Sequence, residues 1–461
     1  MNRFSPSTPR IPGIRFVHSP GPTHVPDEVM HAMQRPMTDL SDPRVAAMIA
    51  ECESGMKRLL HSPNSDVFLF ASNGHGMWES VAANLASPQH TLLLAGSGHF
   101  SDQWALQIEG LGVALQRTPH QEGHPFDVAA IEQALREDKD HRISAVLVVH
   151  TETSSGVTSD LAAVRRAIDA AAHPALYVVD AVASLAASPF HMDALGVDVA
   201  LGSSQKGLMM PPGLGFVAVN AQAMAWSAQH ADPRFYWDWQ RRQSTNQSAK
   251  FCGTPPLAHI AGLETAIALL EAEGLPQVWA RHQRLAGAVH AAVERWAVPG
   301  ALRFHARLPE TRSASVTAIE VAPGIDPEAL RTVARERFQV AMAGGLGPLA
   351  GRVFRIGHLG DMNEPMILGA LAGIEAAMTV QKIPFGTDGV AAAVAFLAVA
   401  WSVIGIGGRT AVLVAATVAT GFLGVRLARR GLRIGARAGR IGMGAGARAG
   451  GDDPRHRRPS R

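Results

Sequence analysis

Cysteine is almost missing from this chain. Cys52 and Cys252 are the only two in 461 residues, which excludes a disulfide framework and any CxxC metal pattern. The start, Met1-Asn2-Arg3-Phe4-Ser5-Pro6, lacks an apolar run. No secretory signal is therefore expected there, and a reducing cytoplasmic setting is the default. No internal repeat is present. Positive charge is also scarce outside one region. Residues 401–461 hold twelve Arg, two Asp and no Lys, a net of +10 against a formal +3 for the whole chain, so the first 400 residues carry −7. A mildly acidic body gives no reason to expect a nucleic-acid partner.

What is there fits a well-buried globular protein. The length allows two or three domains at roughly 100–200 residues each, and 47% of the residues are hydrophobic. Short apolar runs at 67–70, 91–94, 145–149, 176–179 and 215–219 read as buried strands. Segments with helical spacing, such as 127–137 and 161–172, lie between them. That alternation predicts an α/β fold with a mostly parallel sheet covered on both faces, and ligands at the carboxyl ends of its strands. A long helix is expected at 259–273. A smaller α+β region should follow, with strands at 314–320 and 353–357 and a helix at 327–338. The expected organisation is an N-terminal extension (1–19), a large domain (20–284), a small C-terminal domain (285–397) and a tail (398–461).

The most informative run is Gly202-Ser203-Ser204-Gln205-Lys206-Gly207-Leu208-Met209-Met210-Pro211-Pro212-Gly213, in which Lys206 is the one charge. A poorly solvated lysine has a lowered pKa, so its neutral amine becomes available as a nucleophile. The small residues around it suit a flat ligand lying close to the backbone. Twenty-six residues upstream, Asp180 ends the apolar run 176–179. Lys206 and Asp180 together point to pyridoxal 5'-phosphate (PLP). The lysine would join the cofactor's aldehyde, and the aspartate would keep the pyridine nitrogen protonated. Ser72-Asn73-Gly74-His75-Gly76 follows run 67–70 and opens a helix, where free N–H groups and a positive dipole end suit a phosphate. No metal site is expected.

These runs, with Gly98-His99-Phe100, His150-Thr151-Glu152-Thr153-Ser154-Ser155-Gly156, Phe251-Cys252-Gly253-Thr254 and Arg355-Ile356-Gly357, resemble the class V, fold-type I PLP-dependent aminotransferases. The likeness is to the alanine–glyoxylate and serine–glyoxylate branch, and it runs from about residue 20 to about residue 397. The resemblance implies Asn73, Gly74 and His75 as phosphate contacts, and Phe100 stacked over the cofactor ring, with Trp104 left to the core. It implies Thr153 on the phenolic oxygen, Val182 under the ring and Gln205 on the phosphate. Glu152 is read as an ordinary structural carboxylate. Thr254 would reach the neighbouring subunit's phosphate, so a homodimer is implied; Phe251 stands where many relatives have Tyr. Arg355 would clamp the substrate α-carboxylate, and Gly21, in Pro20-Gly21-Pro22-Thr23, would contact the substrate.

The activity implied is amino transfer from a small amino acid, alanine or serine, to a small 2-oxo acid such as glyoxylate or pyruvate. Relatives of the serine–glyoxylate type often read Asp-His-Arg-Ser after Arg-Pro-Met. Here Arg35-Pro36-Met37 leads to Asp39-Leu40-Ser41-Asp42, which leaves the amino donor open. No cysteine follows Cys252, which argues against a desulfurase. The alternatives are a pyridoxamine–pyruvate aminotransferase or a PLP lyase on the same fold, and more remotely an inactive membrane-tethered binding protein. Beyond the expected terminal helix at 389–397, a second apolar run (410–425) and an Arg/Gly/Ala-rich stretch follow. Membrane association through 390–425, a disordered basic extension and a reading-frame artefact are the three readings of this tail.

Overall fold

A computed structural model describes residues 13–230 and 235–404. Met1–Ala398 forms one compact unit and Val399–Arg461 a second.

The first unit holds two large sheets. The seven-stranded one runs in the order Asp66–Phe70, Gly215–Val219, Val199–Ser203, Leu176–Asp180, Ile143–Val149, Thr91–Leu94, Leu115–Arg117. Gly215–Val219 is antiparallel to both of its neighbours, and every other pairing is parallel. Two reversals cancel, so Asp66–Phe70 points the same way as the parallel strands. The carboxyl ends of six strands therefore share one edge. The central strands are buried along their whole length, which is why they read as continuous Val/Ile/Leu runs rather than alternating ones. Helices on the two faces bury separate apolar clusters, one centred on Ile49, Met56, Val148 and Ile267, the other on Met77, Trp78, Trp104 and Leu147.

The second sheet has five strands: Phe16–His18, Val340–Gly344, Val353–Gly357, Val316–Val321 and Leu302–Phe304. Its helices Leu275–Trp296, Pro327–Arg337 and Glu364–Val380 supply the third apolar cluster. Phe16–His18, within the segment expected as an N-terminal extension, pairs in parallel with Val340–Met342. The helix expected at 259–273 is Leu257–Glu273, closed by Gly274 at φ +84°. A left-handed residue suits glycine because no Cβ clashes there.

Several histidines are sealed inside, and four of them bond no charged group among the described residues. His18, His282 and His358 are at most 1% exposed and His150 is 6% exposed. Burial disfavours their charged forms. It holds His18 and His150 at about 4 and His282 and His358 at about 3.

The last helix is Gly389–Ile404, longer than the expected 389–397. Within the first unit, Ala393 and Leu397 are buried on it. Val399 and Trp401, in the second unit, are 44% and 51% exposed. Among the described residues no helix is long and apolar enough to cross a membrane. Most of the stretch 390–425, and all of the Arg-rich tail, lies outside the described residues.

Candidate active site

Local sequence explains why the site sits at one sheet edge. Each parallel strand ends, and the residues just beyond it face the same crevice. Asp180 closes Leu176–Asp180. Lys206 follows Val199–Ser203, Glu152 and Thr153 follow Ile143–Val149, Phe100 follows Thr91–Leu94, and Asn73 and Gly74 follow Asp66–Phe70.

Lys206 Nζ donates to the Pro20 carbonyl at 2.6 Å, and Thr23 Oγ1 donates to the Lys206 carbonyl at 3.2 Å. A methyl group added at Gly21 would lie 2.6 Å from Lys206 Cε. Only glycine therefore lets the N-terminal segment lie against the lysine. Burial, helped by the Arg355 charge, lowers Lys206 to about 8.

Asp180 is 3% exposed. Its Oδ1 accepts the Val182 N–H and its Oδ2 the Trp78 Nε1–H, both at 2.7 Å. Burial raises its carboxyl to about 6, and the two donors pull against that. Arg355 is buried on Val353–Gly357, with Nε on the Gly344 carbonyl at 2.7 Å and Nη1 on the Thr153 carbonyl at 2.9 Å. Among the described residues no hydrogen bond occupies its Nη2. Burial lowers it to about 10.

Glu152 accepts from Phe100 N–H at 2.9 Å, Ser154 N–H at 3.1 Å and Ser154 Oγ–H at 2.7 Å. These bonds tie the start of helix His99–Gly110 to the hairpin after Ile143–Val149. Asn73 caps the helix Gly74–Leu85, with Oδ1 accepting the N–H groups of His75 (3.1 Å) and Gly76 (3.3 Å). The added methyl at Gly74 would lie 3.2 Å from Val182 Cγ2 and 3.7 Å from Ser203 Oγ. Ser203 Oγ and Gln205 Oε1 are buried without a hydrogen-bond partner among the described residues.

Lys206, Asp180, Arg355, Thr153, Phe100, Val182, Gln205, Gly74, Asn73, His75 and Gly21 thus gather at one edge. Thr254 stands apart: it is exposed in the single chain, and no hydrogen bond among the described residues joins it to the others. Trp78 was not singled out from the sequence. Its position four residues after Gly74, one helical turn on, puts both on the same helix face, which is the signal that could have found it. Pro20, whose backbone does the work, carries no side-chain signal at all.

PLP fits these residues. Ser203 Oγ, a buried polar group without a partner among the described residues, lies beside the glycine that opens a helix, and Gln205 Oε1, two residues along the chain, is orphaned as well. A lysine and a carboxylate sit in the same crevice without ion-pair partners of their own among the described residues. This fold and site define a fold-type I PLP enzyme. The class-V aminotransferase family matches residues 15–350, and the chain belongs to that family. It is a PLP-dependent transaminase.

The L-aspartate–glyoxylate aminotransferase of Paracoccus denitrificans (strain Pd 1222) is 41% identical over 377 residues, 81% of this chain and 94% of that protein. The serine–glyoxylate aminotransferase of Methylorubrum extorquens (strain ATCC 14718 / DSM 1338 / JCM 2805 / NCIMB 9133 / AM1) is 40% identical over 395 residues, covering 84% and 97%. Among solved structures, the pyridoxamine–pyruvate aminotransferase of Mesorhizobium loti has a TM-score of 0.74 at 26% identity, covering 83% of this chain and 97% of that one. The ureidoglycine–glyoxylate aminotransferase of Bacillus subtilis has a TM-score of 0.76 at 24% identity, covering 84% and 99%, and shows the shared fold.

Proposed function

We propose that the chain moves an amino group from a small amino acid to glyoxylate or a similar small 2-oxo acid. The observation that carries this is Arg355. Its guanidinium is buried in the crevice that holds Lys206, two of its nitrogens are fixed by carbonyls, and Nη2 is free among the described residues. A planar cation held this way suits a substrate carboxylate. Glyoxylate is named in both relatives near 40% identity, while their amino donors differ.

Bound PLP supplies an electron-accepting ring. Lys206 Nζ, with its pKa near 8, is the nucleophile and the carrier of the substrate α-proton. Asp180 holds a proton on the ring nitrogen. Asn73, Gly74, His75 and Gln205 would hold the cofactor's phosphate at the N-terminus of helix Gly74–Leu85. Phe100 and Val182 would pack against the ring, Thr153 would bond its phenolic oxygen, and Gly21 would border the substrate.

The same reading makes the working unit a homodimer in the cytoplasm. Thr254 is then delivered to the neighbour's phosphate, which its exposure in the single chain supports. It also keeps the division into a large domain (20–284) around the seven-stranded sheet and a small domain (285–397) around the five-stranded one, which Phe16–His18 completes. The test is a half-reaction screen, with single amino acids mixed with the PLP-loaded protein and followed by absorbance. Serine, alanine or aspartate should convert the cofactor, and glyoxylate should restore it. Conversion by pyridoxamine with pyruvate, and by no amino acid, would replace this reading with the alternative one.

A further inference from the structure

Trp78 is 2% exposed and tightly held. Its ring stacks on Trp104 at 5.7 Å and 13°, meets His75 at 4.4 Å and meets the edge of Phe100 at 6.3 Å. That packing fixes the direction of its one polar atom. The Nε1–H points at Asp180 Oδ2, 2.7 Å away. Burial of an indole here does not by itself bring a partner, since the neighbouring Trp104 Nε1 is buried without one. The Trp78 contact is therefore specific.

Among the described residues no ion pair reaches Asp180. Of these residues only two N–H donors touch its carboxyl, those of Val182 and Trp78. An indole N–H donates and never accepts, and it does not titrate in the working pH range. It therefore favours the carboxylate over the carboxylic acid at every pH of interest. Each oxygen keeps a further lone pair for an incoming N–H. A carboxylate that is to hold a proton on a ring nitrogen must itself be ionised, and this one is buried where ionisation is costly.

We propose that Trp78 is a positioning residue of the cofactor site: its indole N–H keeps Asp180 ionised and aims its free lone pairs at the cofactor's ring nitrogen. The proposal rests on Asp180 being the ring-nitrogen partner of PLP. Val182 holds the other oxygen through a backbone group that no side-chain substitution removes. Trp78 is thus the one side chain among the described residues whose loss strips Asp180 of half its donors.

The experiment is PLP binding to the apoprotein by equilibrium dialysis between pH 5 and 9. Trp78→Phe keeps a flat apolar ring against Trp104 but has no N–H. It should weaken PLP binding about tenfold near pH 7 and move the acid limb of the affinity profile up by about one pH unit, the usual scale for losing a hydrogen bond to a charged group. Added to Asp180→Asn, it should change nothing further. Equal weakening on the wild-type and Asp180→Asn backgrounds, or an acid limb that stays put, would overturn the proposal.

A second measurement does not need the variant to fold. In the 1H–15N spectrum of the wild-type apoprotein, one indole resonance should titrate with a midpoint near 6. It should stop titrating in Asp180→Asn. Absence of any such resonance also overturns the proposal. If wild-type protein bound no PLP at any pH, the cofactor reading would fall instead, and the indole titration would still decide whether Trp78 sets the ionisation of Asp180.

Discussion

Two clusters of charge in the first unit, one around the buried Glu320 and one around Lys206 and the buried Asp180, are built in opposite ways; the arginine partners of Glu320 reach the surface, with the Arg303 side chain 67% exposed. Around Glu320 every charge has a partner of opposite sign. Arg303, Arg307 and His305 all bond its carboxylate, and Arg352 pairs with Glu122 nearby. Glu122, His305 and Glu320 could geometrically hold a cation, but three arginines already neutralise the carboxylates, so the cluster is a strut. Around Lys206 the charges are shielded from water, yet among the described residues Lys206 and Arg355 bond only carbonyl oxygens and Asp180 only N–H donors. Burial is costly for an unpaired charge. A fold that pairs one cluster and leaves the other open keeps the second for a ligand.

This contrast can be broken from either side. The largest expected effect is on the open cluster. Lys206→Ala should lower turnover by about a thousandfold or more, since it removes both nucleophile and proton carrier. Far-UV circular dichroism should be unchanged, and PLP should still bind weakly. Turnover above a few per cent of wild type would remove Lys206 from the mechanism. Arg355→Lys comes next. It keeps the charge and loses the fork, so kcat/KM should fall by about 1.5–3 kcal/mol for amino acid and 2-oxo acid alike. A simple amine without a carboxylate is the control. If it suffers equally, Arg355 is a strut too, and the comparison collapses. The smallest effect on catalysis should come from Glu320→Gln. Turnover should stay within about twofold, while stability drops by about 1–2 kcal/mol, because Arg303 and Arg307 lose a charged partner and His305 a strong acceptor. Urea unfolding measures the second quantity. A large loss of turnover with no loss of stability would show that the paired cluster is not merely structural.

The sequence carries the strand ends well. Strand 353–357 and the runs 91–94 and 215–219 coincide with observed strands, because buried parallel strands are continuous apolar runs with sharp edges. Leu115–Arg117 is half polar and partly exposed, so no periodicity marks it. Phe16–His18 is three residues with a histidine inside, and only its pairing with Val340–Met342 makes it a strand. The crevice was legible where motif residues lie on or just after apolar strands, as Arg355, Asp180 and Lys206 do. Trp104, read as core, is fully buried. The contacts of Pro20 and Trp78 were not legible, since each depends on a segment far away in sequence, 186 and 102 residues respectively.

The sealed histidines make the folded chain a proton excluder. His18, His150, His282 and His358 have their pKa values held near 3 to 4, whereas an unfolded histidine binds a proton near 6.5. Their contribution to stability is complete above about pH 6.5. It is lost as pH falls toward those folded values, by about 1.4 kcal/mol per pH unit for each histidine. Asp180, raised to about 6, works in the opposite direction and offsets about one of the four. Near pH 5 these five groups alone make unfolding an uptake of about three protons, and His290, also pushed well below the usual histidine value by burial, adds to it. The calorimetric heat of unfolding should depend on the ionisation enthalpy of the buffer, and more strongly than at pH 8, where Lys206, held at about 8, takes up part of a proton on unfolding. A melting temperature that stayed level from pH 7.5 down to pH 5 would show that these four rings take up protons without leaving the fold.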